Sequence, residues 1–196
     1  MEKTNANGFF AMFFRQKYIN RWGLMRNMVD ENLSTHASEV ACIAHALAVI
    51  GNTVYGKNYD ENRVAVLSLY HDTLEVYTGD MPTPVKYATP ELRSCYSALE
   101  KKAVDHLVEQ LPEELRGTYQ AILEPKYGDE KLYKLVKAAD KLCAYIKCID
   151  EERCGNTDFA NAKAATQKAV DAIELEELDY FKKHFLPSFS LTLDEL

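Results

Sequence analysis

Asn32–Gly51 reads NLSTHASEVACIAHALAVIG, and the placement of its apolar residues decides the fold class. His36, Val40, Ile43, Ala44, Leu47 and Ile50 fall at i, i+4, i+7, i+8, i+11 and i+14, which is one face of an α-helix. Asn32, Ser34 and Thr35 are cap candidates at its start, and Gly51 is expected to end it. The same period continues outward. A second helix is expected from about Asp60 to Tyr77, with Val64, Leu67, His71 and Leu74 on one stripe and Ala65, Leu69, Asp72 and Val76 on the next. Two apolar stripes predict a largely buried helix. Gly79-Asp80-Met81-Pro82-Thr83-Pro84 reads as a rigid loop, because each Pro lacks a backbone N–H and restrains the residue before it. Helical patterns resume over about Pro90–Glu109, Glu113–Leu123 and Glu130–Glu152, and a last helix is expected over about Phe159–Phe185, stopped by Pro187. No period-2 ladder, internal repeat or low-complexity segment interrupts them. The expectation is an all-α, compact multi-helix bundle. In the tail, Phe189, Leu191 and Leu193 alternate with polar residues, predicting an extended segment laid on the chain's own domain or on a partner subunit.

The 196 residues fit one domain of ordinary globular composition, 47% hydrophobic and 27% charged. With 23 Lys and Arg against 30 Asp and Glu, the net charge of −7 disfavours nucleic acid as a general partner. No run approaches the roughly 18 to 20 apolar residues of a membrane span, and no signal-peptide pattern leads the chain, so a cytoplasmic protein without a membrane partner is expected. Five cysteines without a CxxC pair argue against a disulfide framework or a thiolate zinc site and read as small core residues.

Three predicted helices each place a metal-capable side chain on an inward face: His36, then His71-Asp72, then Asp140. Imidazole with carboxylate suits Zn, Mn, Fe, Co or Ni rather than Ca or Mg, and four ligands leave positions for water or substrate. Asp140 sits among Val136, Ala139 and Cys143, where an ionised carboxylate costs several kcal/mol unless it is paired or metal-bound. Each residue alone has an ordinary explanation as a satisfied core or surface group, but four buried polar groups on three helices would each need a separate partner. Glu75 follows His71 by four residues and can reach the space beside them, as a proton donor or acceptor or as a solvent-facing residue. Between Glu2 and Asp30 there is no carboxylate, while Lys3, Arg15, Lys17, Arg21 and Arg26 accumulate. This arm favours an anionic ligand, with Arg21 beside Trp22 offering a phosphate fork next to an aromatic plate, or else its arginines pair with the acidic remainder and the Trp fills the core.

The H…HD…D order of His36, His71-Asp72 and Asp140 resembles the HD-domain metal-dependent phosphohydrolases. Arg21-Trp22, Asn32-Leu33-Ser34-Thr35-His36, His71-Asp72-x-x-Glu75 and the Gly79–Lys86 segment look like the bacterial HD-domain 5′-deoxyribonucleotidases, over nearly the whole chain. The resemblance implies hydrolysis of 2′-deoxyribonucleoside 5′-monophosphates by a cytoplasmic homodimer with one divalent transition metal (Co, Mn, Zn, Fe, Ni or Cu). It implies His36, His71, Asp72 and Asp140 as metal ligands, with His36, Asp72 and Asp140 also beside the substrate. Arg21 would orient the 5′-phosphate, Trp22 with the Asp80, Met81, Pro82 and Thr83 loop would contact the sugar and select against ribose, and Glu75 would assist proton transfer. The residues leave open whether Glu75 or a water held by Asp72 delivers the leaving-group proton. Thr73-Leu74 and Lys126-Tyr127-Gly128 leave base preference open. The rivals are another HD phosphohydrolase, acting on a nucleoside triphosphate or cyclic diester, and a non-catalytic metal and nucleotide sensor.

Overall fold

A computed structural model describes residues 7–86, 88–124 and 129–196. Lys3 and the Lys126-Tyr127-Gly128 stretch lie outside the described residues, as do the side chains of Thr83 and Pro84. Among the described residues the regular structure is helical, apart from one isolated antiparallel bridge between Asn20 and Asn32.

The elements are α1 (Phe9–Phe13), a 3-10 turn (Phe14–Tyr18), α2 (Leu33–Tyr55), α3 (Glu61–Tyr70), α4 (Glu75–Thr78), α5 (Thr83–Lys86), α6 (Pro90–Glu109), α7 (Glu113–Leu123), α8 (Glu130–Arg153), α9 (Ala160–Asp171) and α10 (Glu176–His184). α2 is the hub and packs against α3, α8 and α10. Its expected face is buried: Val40, Ala44 and Leu47 meet Val64 and Leu67 of α3, Leu135, Val136 and Leu142 of α8, and Leu178 and Phe181 of α10 in one core. A smaller cluster of Phe9, Leu107 and Leu111, with Tyr70 and Tyr119 against it, joins the first residues to α6 and α7. By length and composition α2 would also suffice to cross a membrane, contrary to the reading that no run approaches that length, but half of its apolar window is buried inside the fold.

Several boundaries differ from the sequence expectation, each for a local reason. α2 runs through Gly51, a glycine placed there because a side chain would collide with the Tyr59 ring, and it ends instead at Gly56, whose φ of 63° is the left-handed C-cap conformation. The expected Asp60–Tyr77 helix breaks after Tyr70 into tight turns and restarts as α4. The bonds from Thr73 N–H to Tyr70 O and from Glu75 N–H to Asp72 O replace the α-helical ladder there. α3 buries one face rather than two stripes, with Val64, Leu67 and Ser68 inside and Leu69 exposed. The predicted rigid loop ends early, since Thr83 begins one turn of helix that tolerates Pro84 in its first turn. The Phe159–Phe185 helix is two helices, redirected at Leu175 so that α10 lies on α2. The tail is not extended. Leu186–Ser190 and Leu193–Glu195 are 3-10 turns, Leu186 and Phe189 pack on the chain's own core, and Leu193 and Leu196 point to solvent. Of the cysteines only Cys143 and Cys148 are buried, while Cys42, Cys95 and Cys154 are exposed.

Candidate active site

The N-cap Asn32 accepts the Thr35 N–H and starts α2, which sets His36 one turn inside the helix and out of contact with solvent. The break after Tyr70 turns His71 and Asp72 toward that ring, and the 3-10 turn at the chain's start braces the break through Gln16 Nε2, which donates to Thr73 Oγ1 at 3.1 Å. Asp140 comes from the middle of α8, opposite α2.

The four side chains converge. One atom from each of His36, His71, Asp72 and Asp140 can be chosen so that all lie within 4.8 Å of one another. His36 Nε2 is 3.2 Å from Asp140 Oδ1 and 3.7 Å from Asp72 Oδ2, and His71 Nε2 is 3.0 Å from Asp72 Oδ2 and 3.9 Å from Asp140 Oδ1. Ligands roughly 2.0–2.2 Å from a common ion stand roughly 3–4 Å apart, so the donor set and its spacing fit a divalent metal. The ring orientations agree. His71 Nδ1 lies 2.7 Å from Ser68 O and donates to it, which leaves Nε2 as the nitrogen turned toward the cluster and open to a metal once its proton is lost. That buried Nε2 has no aligned hydrogen bond despite its nearness to Asp72.

The electrostatics describe a centre made for positive charge. Burial lowers the His71 pKa, but Asp72 and Asp140 outweigh it and raise it to about 10. Burial opposes ionisation of Asp140, yet the hydrogen bond with His36, the nearby His71 ring and the charge of Lys137 hold it well below the ordinary carboxylate range. Asp72 is likewise held at about 2, its burial overcome chiefly by His71. Glu75 goes the other way. Burial, with Asp72 and Asp80 as negative neighbours, raises its pKa to about 8, and its buried Oε2 has no hydrogen-bond partner.

Arg21 is nearly buried beside this cluster, its Nη1 3.5 Å from Asp72 Oδ2 and its Nε donating to Glu31 Oε1 at 3.0 Å. Trp22 follows with a φ of 58°, a left-handed conformation rarely adopted by a bulky side chain. Asp80 stabilises that conformation by accepting the Trp22 N–H at 3.2 Å, so this member of the expected sugar loop touches the Trp backbone. Met81 instead lines an apolar cleft of about 170 Å³ with Val85, Lys86, Leu92, Tyr96 and Leu99, and Pro82 is exposed. Among the described residues, the other basic residues of the arm do not join the site. Arg15 and Lys17 lie over the Tyr18 ring, and Arg26 faces Asp158 at the surface.

Two acids that hold this arrangement were not singled out from the sequence. Glu31, 7% exposed, accepts from Arg21 Nε and from Trp22 Nε1 and lies 3.2 Å from His36 Nδ1. Glu151, with no solvent exposure, accepts the backbone N–H groups of Met28 and Val29, the Asn156 side-chain amide and the Lys147 ammonium, and so fastens the Trp22–Glu31 loop to α8. A signal for Glu31 existed: with Asp30 it ends the long carboxylate-free stretch.

The sequence profile of the YfbR-like 5′-deoxynucleotidases matches residues 8–189. The chain belongs to this family. A 5′-deoxynucleotidase of Yersinia pestis (strain Pestoides F) is 47% identical over 188 residues, covering 96% of this chain and 95% of that protein. One from Yersinia pseudotuberculosis (strain YPIII) matches equally. The fold of the family member is also that of an HD-domain phosphohydrolase from Listeria innocua, with a TM-score of 0.79 at 22% identity over 92% of this chain and 87% of that one. A cyanophage S-2L HD phosphohydrolase, solved with dA and one catalytic Zn2+ ion, superposes with a TM-score of 0.66 at 19% identity, covering 93% of this chain and 96% of that one.

Proposed function

We propose that this YfbR-like 5′-deoxynucleotidase hydrolyses 2′-deoxyribonucleoside 5′-monophosphates to the deoxyribonucleoside and phosphate, with His36, His71, Asp72 and Asp140 holding one divalent transition metal drawn from Co, Mn, Zn, Fe, Ni and Cu. The observation that carries the reading is the convergence of four donors, from α2, the turn after α3 and α8, on one point beside a buried arginine and the buried carboxyl of Glu75. When bound, the metal supplies Lewis acidity and makes water acidic enough to attack phosphorus at neutral pH.

The chain's own groups do the rest. Arg21, pre-oriented by Glu31, binds the phosphate oxygens and offsets the charge that builds on them. As water adds to phosphorus and the bond to the 5′ oxygen breaks, that oxygen takes a proton. Glu75 is the donor of choice: a pKa near 8 keeps its carboxyl protonated at neutral pH, and its unpartnered Oε2 is free to face substrate. Asp72, held near 2, could serve in that step only through a water that it holds. Trp22, fixed in its left-handed turn by Asp80, walls the sugar side and selects against a 2′-hydroxyl. A cytoplasmic homodimer is part of the same reading, as the family resemblance implies.

The test is phosphate release from 2′-deoxy and ribo 5′-monophosphates, 3′-monophosphates and triphosphates, using protein stripped of metal and resupplied with Mn, Co, Zn or Mg. Release confined to deoxy 5′-monophosphates and dependent on a transition metal is expected. Hydrolysis of triphosphates in preference, or tight metal binding with no turnover on any compound, would overturn it.

A further inference from the structure

Burying an ionised carboxylate is costly unless strong donors meet it, and the donors that meet Glu31 are of unusual kinds. Oε1 accepts from Arg21 Nε at 3.0 Å and is 3.2 Å from His36 Nδ1, while Oε2 accepts from the Trp22 indole N–H at 3.1 Å. The backbone repeats the tie. The Arg21 N–H donates to Glu31 O at 2.9 Å, and two residues on either side the Leu33 N–H donates to Ile19 O at 3.0 Å, so the Arg-Trp segment and the start of α2 are clamped together.

We propose that Glu31 is a positioning residue that couples the His36 imidazole to the Arg21–Trp22 pair, so that one carboxylate sets both metal affinity and the preference for deoxyribose. The inference rests on the reading above of His36 as a metal ligand and of Arg21 and Trp22 as substrate contacts.

On the His36 side the argument is tautomeric. Nε2 points at Asp140 and Asp72, so a metal held there takes the Nε2 lone pair and leaves the ring proton on Nδ1. The present contact to Glu31 is within reach but off the line of a straight hydrogen bond, and Nδ1 has no other partner. Glu31 is therefore the acceptor that fixes this ring. On the other side, an indole has one donor, and Oε2 occupies it while Phe159 packs on the ring with centroids 5.3 Å apart. Losing that acceptor frees the plate to turn.

Glu31→Gln separates the two sides. A glutamine has one acceptor oxygen, and pairing it with the two donors of Arg21 and His36 turns its NH2 against the Trp22 N–H. Stripped protein is titrated with Co2+ alone, and kcat/KM is measured for a deoxy and a ribo 5′-monophosphate, with Tm recorded to verify folding. Glu31→Gln should weaken Co2+ binding roughly 10-fold, the scale of losing a partner of a metal-bound histidine. It should also lower the deoxy-to-ribo ratio roughly 3- to 10-fold, the effect of one lost hydrogen bond. Trp22→Phe removes only the indole donor and should narrow the ratio with Co2+ affinity unchanged. In the double variant, adding Glu31→Gln should then move Co2+ affinity but not the ratio.

Co2+ affinity and ratio both within about twofold of wild type in Glu31→Gln, or an unreduced effect on the ratio in the Trp22→Phe background, would overturn the proposal. If Glu31→Gln does not fold, an unchanged ratio in Trp22→Phe overturns it instead. Wild-type protein with no preference for the deoxy compound would sink the underlying reading and the selectivity half with it, while the Co2+ titration still decides the link to His36.

Discussion

Glu151→Gln should cost this protein stability in a pH-dependent way. The Glu151 carboxylate is fully buried and accepts from Met28 N–H at 2.9 Å, Val29 N–H at 3.1 Å, the Asn156 side chain at 2.6 Å and the Lys147 ammonium. Burial alone would raise its pKa, but Lys147, Asn156 and the two backbone donors hold it down to about 2, from an ordinary 4.5. A group with a depressed folded pKa stabilises above its unfolded pKa and loses that contribution as pH falls toward the folded one. The shift corresponds to ~3 kcal/mol at pH 7 and ~1 kcal/mol at pH 3. Glutamine keeps the shape and removes the charge, leaving Lys147 without its counter-ion. Urea unfolding of wild type and variant at pH 7 and pH 3 should therefore show a difference of ~3 kcal/mol that shrinks by ~2 kcal/mol at the lower pH. In the variant, the Met28 and Val29 amides should also exchange hydrogen faster, since their acceptor has lost its charge. Parallel stability profiles, or a gap of the same size at both pH values, would refute the reasoning.

Glu75→Gln should lower kcat by roughly 10²- to 10⁴-fold, the usual worth of a general acid, and abolish the basic limb of the wild-type pH profile. That limb falls as pH rises through about 8, because Glu75 must be protonated to act, and a wild-type rate that is flat from pH 7 to 9 would contradict the assignment. His36→Ala and Asp140→Ala should each lose the bound metal and reduce turnover by roughly 100-fold or more, measured by metal content after gel filtration and by phosphate release. Full metal content and full turnover in either variant would contradict the site. Adding Co2+ to stripped protein at about 100 times its Kd should stabilise the fold by ~2.7 kcal/mol and raise Tm by roughly 5–10 °C, an increase that His36→Ala should lack.

The fold and the four converging donors were legible because His36 and Asp140 lie on helical faces with a clean 3.6-residue period and the apolar pattern carries on through His71 and Asp72. His36 shares its stripe with Val40 and Leu47, and Asp140 shares its own with Val136 and Cys143, so burial could be inferred from the neighbours. The break after Tyr70 was not legible, since apolar residues keep the period across it. It is braced by a contact with Gln16, fifty-seven residues earlier in the chain. Gly51 misled for a related reason: a glycine that ends a helix and one that admits a neighbouring ring look alike in sequence, and only Tyr59 distinguishes them. Glu31 and Glu151 escaped notice because their meaning lies in partners on a loop without periodicity. The three exposed cysteines and the curled tail belong to the surface, where packing imposes little pattern.

The left-handed backbone at Trp22 bears on how this enzyme would respond to laboratory evolution. A bulky L-residue held there costs on the order of 1–2 kcal/mol, but the indole offsets that strain by packing on Phe159 and donating to Glu31, contacts that glycine would forfeit. A selection for heat tolerance alone should therefore keep the strained turn together with its ring, and the substitutions that raise endurance should collect elsewhere in the chain.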